Sequence, residues 1–272
     1  METTIKEEPF VSVIIPTRNS EATLQRCLES IKSQSYKNVE IIIVDNYSND
    51  RTRDIARKFD CKVLLKDLER SIQVNFGAKA AKGKYLYRID SDFILDPQVI
   101  REAVESAEKH NYDAIIIHNT SDPTISFWSR VRKAERDCYR GDDVIVVARF
   151  YRRNVFDTIG GYDESLLAGE DYDFSNRLLM GGYRVGRITP EEVHIGEPKT
   201  LADIVRKSYF YGKSIGRFIN KNPRRGRQQL NPFRKSYFKH LNNLTSDPVI
   251  FAAFAFYQGV RYLAAFFGML SD

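Results

Sequence analysis

Cysteine is scarce in this sequence. The 272 residues include three, Cys27, Cys61 and Cys138, which are far apart and form no C-x-x-C pair. This pattern argues against a disulfide framework and against a zinc site, and it indicates a reducing compartment. Two phosphate-binding motifs are also missing. No G-x-G-x-x-G follows a predicted strand and no G-x-x-x-x-G-K-[ST] occurs, so we expect neither a dinucleotide-binding dehydrogenase nor a P-loop protein.

Long hydrophobic runs are scarce as well. The amino-terminal METTIKEEP is polar, so we expect no secretory signal. Val249–Leu270 is long enough to span a membrane, but Arg261 near its middle would cost ~2.5–3.5 kcal/mol on insertion scales. Gln258, Arg261 and Tyr262 share one helical face, which favours a helix lying in the membrane interface; packing on the protein's own core is the alternative. We therefore expect a peripheral protein at the cytoplasmic face of a membrane.

Acidic residues are nearly absent between residues 199 and 240, where Asp203 stands against twelve basic residues. The basic residues are Lys199, Arg206, Lys207, Lys213, Arg217, Lys221, Arg224, Arg225, Arg227, Arg234, Lys235 and Lys239. Residues 1–198 have a slight acidic excess, although the whole chain has a net charge of +6. A basic block of this kind indicates an anionic partner, such as phosphate, nucleic acid or an acidic membrane surface. The alternative is a solvated helix face.

Short apolar runs and helix-periodic stretches alternate through the first third of the chain. The predicted elements are strand Val11–Ile15, helix Glu21–Ser33, strand Val39–Val44, helix Asp50–Phe59, strand Lys62–Leu65, helix Ser71–Ala81 and strand Tyr85–Ile89. Strands joined by such helices predict an α/β fold with a Rossmann-like, mostly parallel sheet.

The second half is less regular. It contains predicted strands at Asp113–Ile117 and Val144–Arg149, an amphipathic stretch at Phe127–Tyr139, helices at Glu170–Met180 and Leu201–Ile219, and a linker over residues 223–232.

Two carboxylates, Asp90 and Asp92, stand one residue apart where the strand Tyr85–Ile89 ends. Ligands of open α/β sheets bind outside the carboxyl ends of the strands. Mg²⁺ and Mn²⁺ bind there through one or two carboxylates plus substrate phosphates, which would offset the repulsion between the two aspartates. A second D-x-D, Asp171-Tyr172-Asp173, opens a predicted helix, where capping and the helix dipole favour carboxylates.

Three segments resemble family 2 glycosyltransferases, which have a GT-A fold. They are VSVIIPTRNSEATLQRCLESIKSQSYKNVEIIIVDNYSNDRT, AKGKYLYRIDSDF and GGYDESLLAGEDYDFSNRLLMGGYRV, in the order the family has them. The likeness covers about residues 10–200. It predicts a GT-A domain over residues 1–198, with a nucleotide-sugar half at about 10–92 and an acceptor half at about 93–198. A basic helical extension would follow at residues 199–272.

The resemblance implies an inverting sugar transfer from a nucleotide-diphosphate sugar with a divalent metal, Mn²⁺ or Mg²⁺. It assigns donor binding to Pro16, Thr17, Asn19, Asp45, Arg70, Asp90 and Ser91. Among these, Thr17, Asn19 and Asp45 match positions that hold the base and ribose. It assigns the metal site to Asp90, Asp92 and His194. The family's common Ala-Arg-Asn-x-Gly reads Gln-Val-Asn-Phe-Gly at residues 73–77, so its arginine is missing and only Arg70 could replace it.

Glu170 and Asp171 resemble the family's Glu-Asp pair, which implies that Asp171 is the base for an acceptor hydroxyl and that Glu170 positions it. A hydroxyl needs a base, whereas a lipid phosphate is already anionic and does not. We therefore expect the acceptor to be a saccharide or a lipid-linked saccharide. The runner-up is a polyprenyl- or dolichyl-phosphate sugar synthase, and the alternative for the two residues is helix capping alone.

Three other functions compete with this interpretation. A nucleotidyltransferase would need a basic phosphate loop after the first strand, where PTRNSEAT has one arginine and no glycine. A nucleic-acid-binding module would use the aromatic residues within the basic block for base stacking, but at helical spacing they more often form a packing face. A catalytically silent binding protein would not need the complete set of carboxylates, so their presence argues against this alternative. We expect no nucleic-acid partner.

Overall fold

The computed structural model of the chain describes residues 8–67 and 69–271. The predicted absence of a secretory signal depends mainly on residues 1–7, which lie outside the described residues. In the first third, the alternation of strands and helices is confirmed. The elements are β1 (Val11–Thr17), α1 (Glu21–Lys32), β2 (Val39–Asp45), α2 (Thr52–Lys58), β3 (Lys62–Leu65), α3 (Arg70–Ala80) and β4 (Tyr85–Arg88). These four strands pair in parallel, with β1 between β2 and β4.

The rest of the sheet is mixed. The elements that complete it are β5 (Phe93–Leu95), α4 (Val99–His110), β6 (Ala114–Ser121), α5 (Phe127–Asp137), β7 (Ala148–Arg152), α6 (Arg153–Ile159), α7 (Glu170–Met180) and β8 (Val185–His194). In the described chain the strand order is β3-β2-β1-β4-β7-β6-β8-β5. Strand β7 runs antiparallel to both β4 and β6, whereas β6 and β8 are parallel. The fold is α/β with a mostly parallel sheet, as predicted.

One predicted strand is displaced. The apolar run Val144–Arg149 was expected to be extended, but β7 begins only at Ala148. The Asp142 carboxylate accepts hydrogen bonds from the backbone N–H groups of Val144 (2.9 Å) and Ile145 (3.3 Å). An aspartate that bonds to the backbone in this way stabilises a turn, and this turn overrides the strand preference of the apolar residues.

Five helices follow the sheet: α8 (Leu201–Lys221), α9 (Pro223–Gln229), α10 (Lys235–Lys239), α11 (Leu241–Thr245) and α12 (Pro248–Leu270). The predicted linker over residues 223–232 is therefore wrong in its first part. Pro223 stands at the first position of α9, where its missing N–H costs nothing and its fixed φ favours a helix.

Helices α8 and α12 are in backbone contact. A Cβ on Gly212 would lie 2.1 Å from the carbonyl oxygen of Ala265, and one on Gly268 would lie 2.2 Å from the carbonyl oxygen of Tyr209. The contact that lies further along α8 lies earlier along α12, so α8 and α12 are antiparallel. Both glycines are needed for this approach because any side chain would push the helices apart.

Apolar side chains are buried on both faces of the sheet, as is typical of parallel strands covered by helices. On one face, Val11, Val13 and Ile15 pack with residues of α1 and α4. On the other face, Ile14 belongs to a cluster that includes residues of α3, α5, α7 and α12. Both faces of the sheet are therefore covered, and the ends of its parallel strands remain as the place where a ligand can bind.

Candidate active site

A cavity of about 830 Å³ lies at the carboxyl ends of β1 and β4 and at the start of α7. Ten of the eleven predicted site residues line it. They are Pro16, Thr17, Asn19, Arg70, Asp90, Ser91, Asp92, Glu170, Asp171 and His194. Residues far apart in the chain thus meet at one place, at the sheet edge where parallel strands end.

Asp45 is the exception: it is fully buried and does not line the cavity. Its carboxylate accepts hydrogen bonds from the Thr17 hydroxyl (2.8 Å) and from the Ser48 backbone N–H and hydroxyl (2.9 and 2.6 Å). The Ser48 hydroxyl in turn accepts a hydrogen bond from the Asn19 backbone N–H (2.8 Å). In this structure Asp45 therefore fixes the loop that places Thr17 and Asn19 at the cavity.

Asp90 lies in a cluster of two arginines and two carboxylates. Arg88 at the end of β4 contacts it at 2.9 Å, and Arg70 at the start of α3 contacts it at 3.6 Å. Arg70 also contacts Glu170 at 2.7 Å, which joins α3 to α7. Burial alone would raise the pKa of the Asp90 carboxyl, but Arg88 and Arg70 hold this pKa well below its usual range. Asp90 is therefore ionised at neutral pH.

Asp92 and His194 are brought together by the antiparallel pairing of β5 and β8, in which Phe93 lies opposite His194. His194 Nε2 lies 3.1 Å from Asp92 Oδ2, and Nδ1 lies 2.9 Å from Glu197 Oε1. Burial acts to raise the pKa of Asp92, but the hydrogen bond from His194 keeps it below its usual value. Gly196 permits the packing, because a Cβ there would lie 2.1 Å from Asp92 Oδ2.

The donor set is compatible with a divalent metal that is shared with a substrate. Among the described residues there is no group of three or more His, Cys, Asp or Glu side chains placed to hold an ion. Asp92 and His194 provide two adjacent donors, an oxygen and a nitrogen, on the wall of the cavity. Mg²⁺ is commonly held by one or two carboxylates, with phosphate oxygens and water as the remaining ligands. These residues therefore fit such an ion, although they do not form an all-protein cage.

The first turn of α7 carries three acidic residues in three environments. Glu170 is buried against Arg70, and Asp173 is buried in contact with Arg177 (2.8 Å) and Lys221 (3.0 Å). Asp171 is only partly buried and lines the cavity. The helix is preceded by Gly169 at φ 76°, so no side chain caps it from that position. Of these three carboxylates, Asp171 is therefore the one that a bound molecule can reach. It forms no salt bridge in the described chain.

Sequence reasoning missed residues that support the site. Gln73 stands where the family motif begins, and its Nε2 donates hydrogen bonds to the carbonyl oxygens of Thr17 (3.1 Å) and Val44 (2.7 Å). It therefore ties together the ends of β1 and β2. Asn75 donates to the carbonyl oxygen of Tyr162 (2.8 Å), which joins α3 to the loop between α6 and α7. Arg88 was detectable as a charged residue at the end of a buried strand.

Comparison with known proteins identifies the family. The model of Glycosyl transferase family 2 matches residues 12–160, more than half of the chain. The chain belongs to this family. It is a glycosyltransferase, as the three sequence segments predicted. Glycosyltransferase AglE of Haloferax volcanii is 24% identical over 221 residues, which cover 75% of this chain and 72% of AglE. A PGL/p-HBAD biosynthesis glycosyltransferase of Mycobacterium bovis is 28% identical over 188 residues, covering 66% of this chain and 73% of the relative.

Solved glycosyltransferase structures share the GT-A fold. The mannosyltransferase PcManGT from Pyrobaculum calidifontis, in complex with GDP-Man and Mn²⁺, superposes with a TM-score of 0.65 at 18% identity, covering 97% of this chain and 88% of PcManGT. Residues 1–349 of TarS from S. aureus, in complex with UDP-GlcNAc, superpose with a TM-score of 0.53 at 19% identity, covering 94% of this chain and 81% of that fragment. At these identities the likeness establishes the fold.

Proposed function

We propose that this glycosyltransferase moves a sugar, with inversion, from a nucleotide-diphosphate donor to an acceptor hydroxyl in a metal-dependent reaction. The observation that carries the proposal is that Asp92 with His194, Asp90 with its arginines, and Asp171 all border one cavity. The first two groups suit a diphosphate and its metal, and the third suits an acceptor. PcManGT was solved with GDP-Man and Mn²⁺, which supports a donor of this class.

The donor's diphosphate is proposed to lie between the Asp92–His194 pair and Arg70. A divalent metal held by Asp92 and His194 would offset the negative charge that develops on the leaving group, a Lewis-acid effect of several kcal/mol. Arg70 holds its place through Glu170 and Asp90 and so presents a cation beside the same region. Thr17 and Asn19, placed by the loop that Asp45 fixes, are proposed to contact the base and ribose.

Asp171 is proposed to remove the proton of the acceptor hydroxyl. Inversion by direct displacement needs a nucleophile opposite the departing diphosphate, and a placed base typically contributes ~10²–10⁴-fold. Glu170 is unsuited to this role because Arg70 contacts its carboxylate at 2.7 Å and it is 3% exposed. Glu170 therefore serves as a positioning residue for Arg70, and Asp171 is the base.

The substitution Asp171→Asn tests this assignment. It keeps the size of the side chain and removes the base, so transfer should fall at least about 100-fold while donor binding is unchanged. UDP- and GDP-sugars are screened first with a range of saccharide and lipid-linked acceptors, and turnover and donor affinity are then measured. Asp163→Asn, an aspartate that does not line the cavity, is the matched control. Near wild-type transfer by Asp171→Asn would instead favour a phosphate acceptor.

We also propose that the enzyme works as a peripheral protein on the cytoplasmic face of a membrane. Helix α12 is long and apolar enough by length and composition to cross a membrane, and most of its apolar stretch is not buried in the protein. Its polar side chains face inward: Gln258 and Arg261 both bond to Glu135 on α5 at 3.0 Å. Its outward face carries large apolar side chains, including Leu263 and Phe267, each 60% exposed. This inverted arrangement suits a helix with one face on the protein and the other on lipid.

A further inference from the structure

A second cavity, of about 450 Å³, lies between the antiparallel helices α8 and α12. Its walls are mainly apolar and include Ile204, Ile219, Ala265 and Phe266. We call it the α8–α12 groove. It adjoins the cavity of the candidate active site, because Tyr211, Ile215 and Leu230, among other residues, line both. One end of the apolar groove thus lies beside the cavity in which the acceptor is proposed to react.

Five cations line both cavities and mark their junction. They are Arg132, Arg136, Lys207, Arg234 and Arg261. Two carboxylates neutralise part of this charge: Glu135 pairs with Arg132 and Arg261, and Glu197 pairs with Arg132 and Arg136. Among the described residues no carboxylate lies within salt-bridge distance of Lys207 or Arg234, which interact with Asp92 and Glu135 only over longer distances. The junction therefore carries a surplus of positive charge.

Two of the five cations, Arg234 and Arg261, are held in place by neighbouring groups, which distinguishes them from cations on a solvated face. Arg234 donates to the Tyr139 hydroxyl and to the carbonyl oxygen of Gln229 (3.2 Å), and its guanidinium stacks on the Tyr139 ring at 4.8 Å. Arg261 is fixed by Glu135 at 3.0 Å. Positioned donors of this kind bind phosphate more strongly than flexible surface cations, because less side-chain entropy is lost.

The other end of the groove opens at the outward apolar face of α12. Phe266 and Met269 line the groove and are 50% and 43% exposed. They adjoin Phe267 and Leu270, which are 60% and 66% exposed. An apolar chain that lies in the groove can therefore continue into a lipid surface that contacts this face.

We propose that the acceptor hydroxyl is carried by a phosphorylated lipid whose hydrocarbon chain lies in the α8–α12 groove and whose phosphate binds Lys207, Arg234 and their neighbours at the junction. This inference rests on the proposed function, since it names the class of molecule that brings the hydroxyl to Asp171. The apolar walls and the opening onto an apolar surface suit the chain of such a lipid, and the cationic end suits its phosphate.

The test is binding of farnesyl diphosphate, a soluble short-chain probe, to the full-length protein. The titration is done in EDTA, which suppresses metal-dependent binding at the donor site, and is repeated with saturating UDP or GDP and Mn²⁺. Inorganic diphosphate and farnesol are titrated in parallel as phosphate-only and chain-only probes. We expect farnesyl diphosphate to bind at least about tenfold more tightly than either, and the nucleotide not to displace it.

Two variants separate the two parts of the groove. Lys207→Glu should weaken farnesyl diphosphate binding by about tenfold or more, whereas Arg206→Glu, the same charge change at a neighbour that lines neither cavity, should not. Ile219→Trp, at a residue that lines only the groove, should fill the groove and weaken the binding of farnesyl diphosphate without affecting that of inorganic diphosphate. Lys207 is exposed and Ile219 partly exposed, so neither change should unfold the protein.

Three outcomes would overturn the inference: equal affinity for inorganic and farnesyl diphosphate, displacement of the probe by the nucleotide, or equal effects of Lys207→Glu and Arg206→Glu. Nucleotide binding with Mn²⁺ reports the donor site independently. If it persists while the lipid probe fails to bind, the lipid inference fails and the proposed function stands.

Discussion

Glu135 joins the carboxy-terminal helices to the rest of the protein, and we predict that Glu135→Gln is strongly destabilising. The side chain lies on α5 and is 1% exposed. It contacts Arg132 on its own helix, Arg261 on α12, and the hydroxyls of Tyr139 (2.6 Å) and Tyr237 (3.1 Å). One carboxylate therefore holds two helices that come more than a hundred positions later in the chain.

The magnitude follows from what glutamine preserves. The amide oxygen of glutamine can still accept a hydrogen bond from a tyrosine hydroxyl. Arg132 also retains its second carboxylate partner, Glu197, at 3.6 Å. Arg261 loses its carboxylate partner. Breaking a buried ion pair costs ~3–5 kcal/mol, and since the Arg261 side chain is 28% exposed we expect about 2–3 kcal/mol after solvent screening.

Chemical denaturation of wild type, Glu135→Gln, Arg261→Gln and the double variant measures this loss. The double variant should be less destabilised than the sum of the singles, with an interaction energy of ~1–3 kcal/mol, because it leaves no stranded charge. A Glu135→Gln protein within ~0.5 kcal/mol of wild type, or strictly additive singles, would refute the reasoning.

The same contacts predict a pH dependence. Burial acts to raise the pKa of Glu135, but Arg132 and Arg261 hold it well below its usual range. The unfolded value is about 4.3, so the folded pKa is depressed and the stabilisation is fully present above about pH 5. It is lost as the pH falls through the folded value. The stability difference between wild type and Glu135→Gln should therefore be constant near neutrality and shrink in acid.

Two further predictions concern α8 and α12. Leu263→Asp with Phe267→Asp should abolish flotation with anionic liposomes, whereas Met180→Asp, at a residue that is 83% exposed on α7, should not; unchanged flotation would argue against a lipid-facing α12. Gly212→Ala should destabilise the protein by ~1–3 kcal/mol in thermal or chemical unfolding, because its Cβ meets the backbone of α12. Gly216→Ala, with no atom within 4 Å of its Cβ, should be neutral or stabilising; equal effects would argue against the backbone contact.

Local patterns predicted most of the fold, and they failed where one side chain overrides the local preference. Periodicity located the alternating elements of the first third because buried strands and amphipathic helices bury apolar side chains at different intervals. The turn at Val144 depends on Asp142, whose effect an apolar run does not reveal. The inward face of α12 depends on Glu135, and no local pattern pairs Gln258 or Arg261 with it.

The residues at the cavity were predictable in identity but not in arrangement. Motif spacing indicated Asp90, Asp92 and Asp171, and the structure places all three around one cavity. Their partners come from segments that the motifs do not connect. Arg88 and Arg70 lower the pKa of Asp90. The pairing of β5 with β8 brings His194 next to Asp92. Such contacts depend on tertiary packing and are invisible to sequence spacing.

The most direct test of metal-dependent donor binding is titration of UDP and GDP into wild type and Asp92→Asn, each with Mn²⁺ or with EDTA. Asp96→Asn, an exposed aspartate four residues away that does not line the cavity, is the control. One of the two nucleotides should bind tightly to wild type and to the control only with Mn²⁺. Asp92→Asn should lower the affinity for the nucleotide with Mn²⁺ at least about tenfold, since even the loss of a residue that only contacts a metal ligand lowers metal affinity by that much. Equal affinity of wild type and Asp92→Asn, with and without Mn²⁺, would contradict the account.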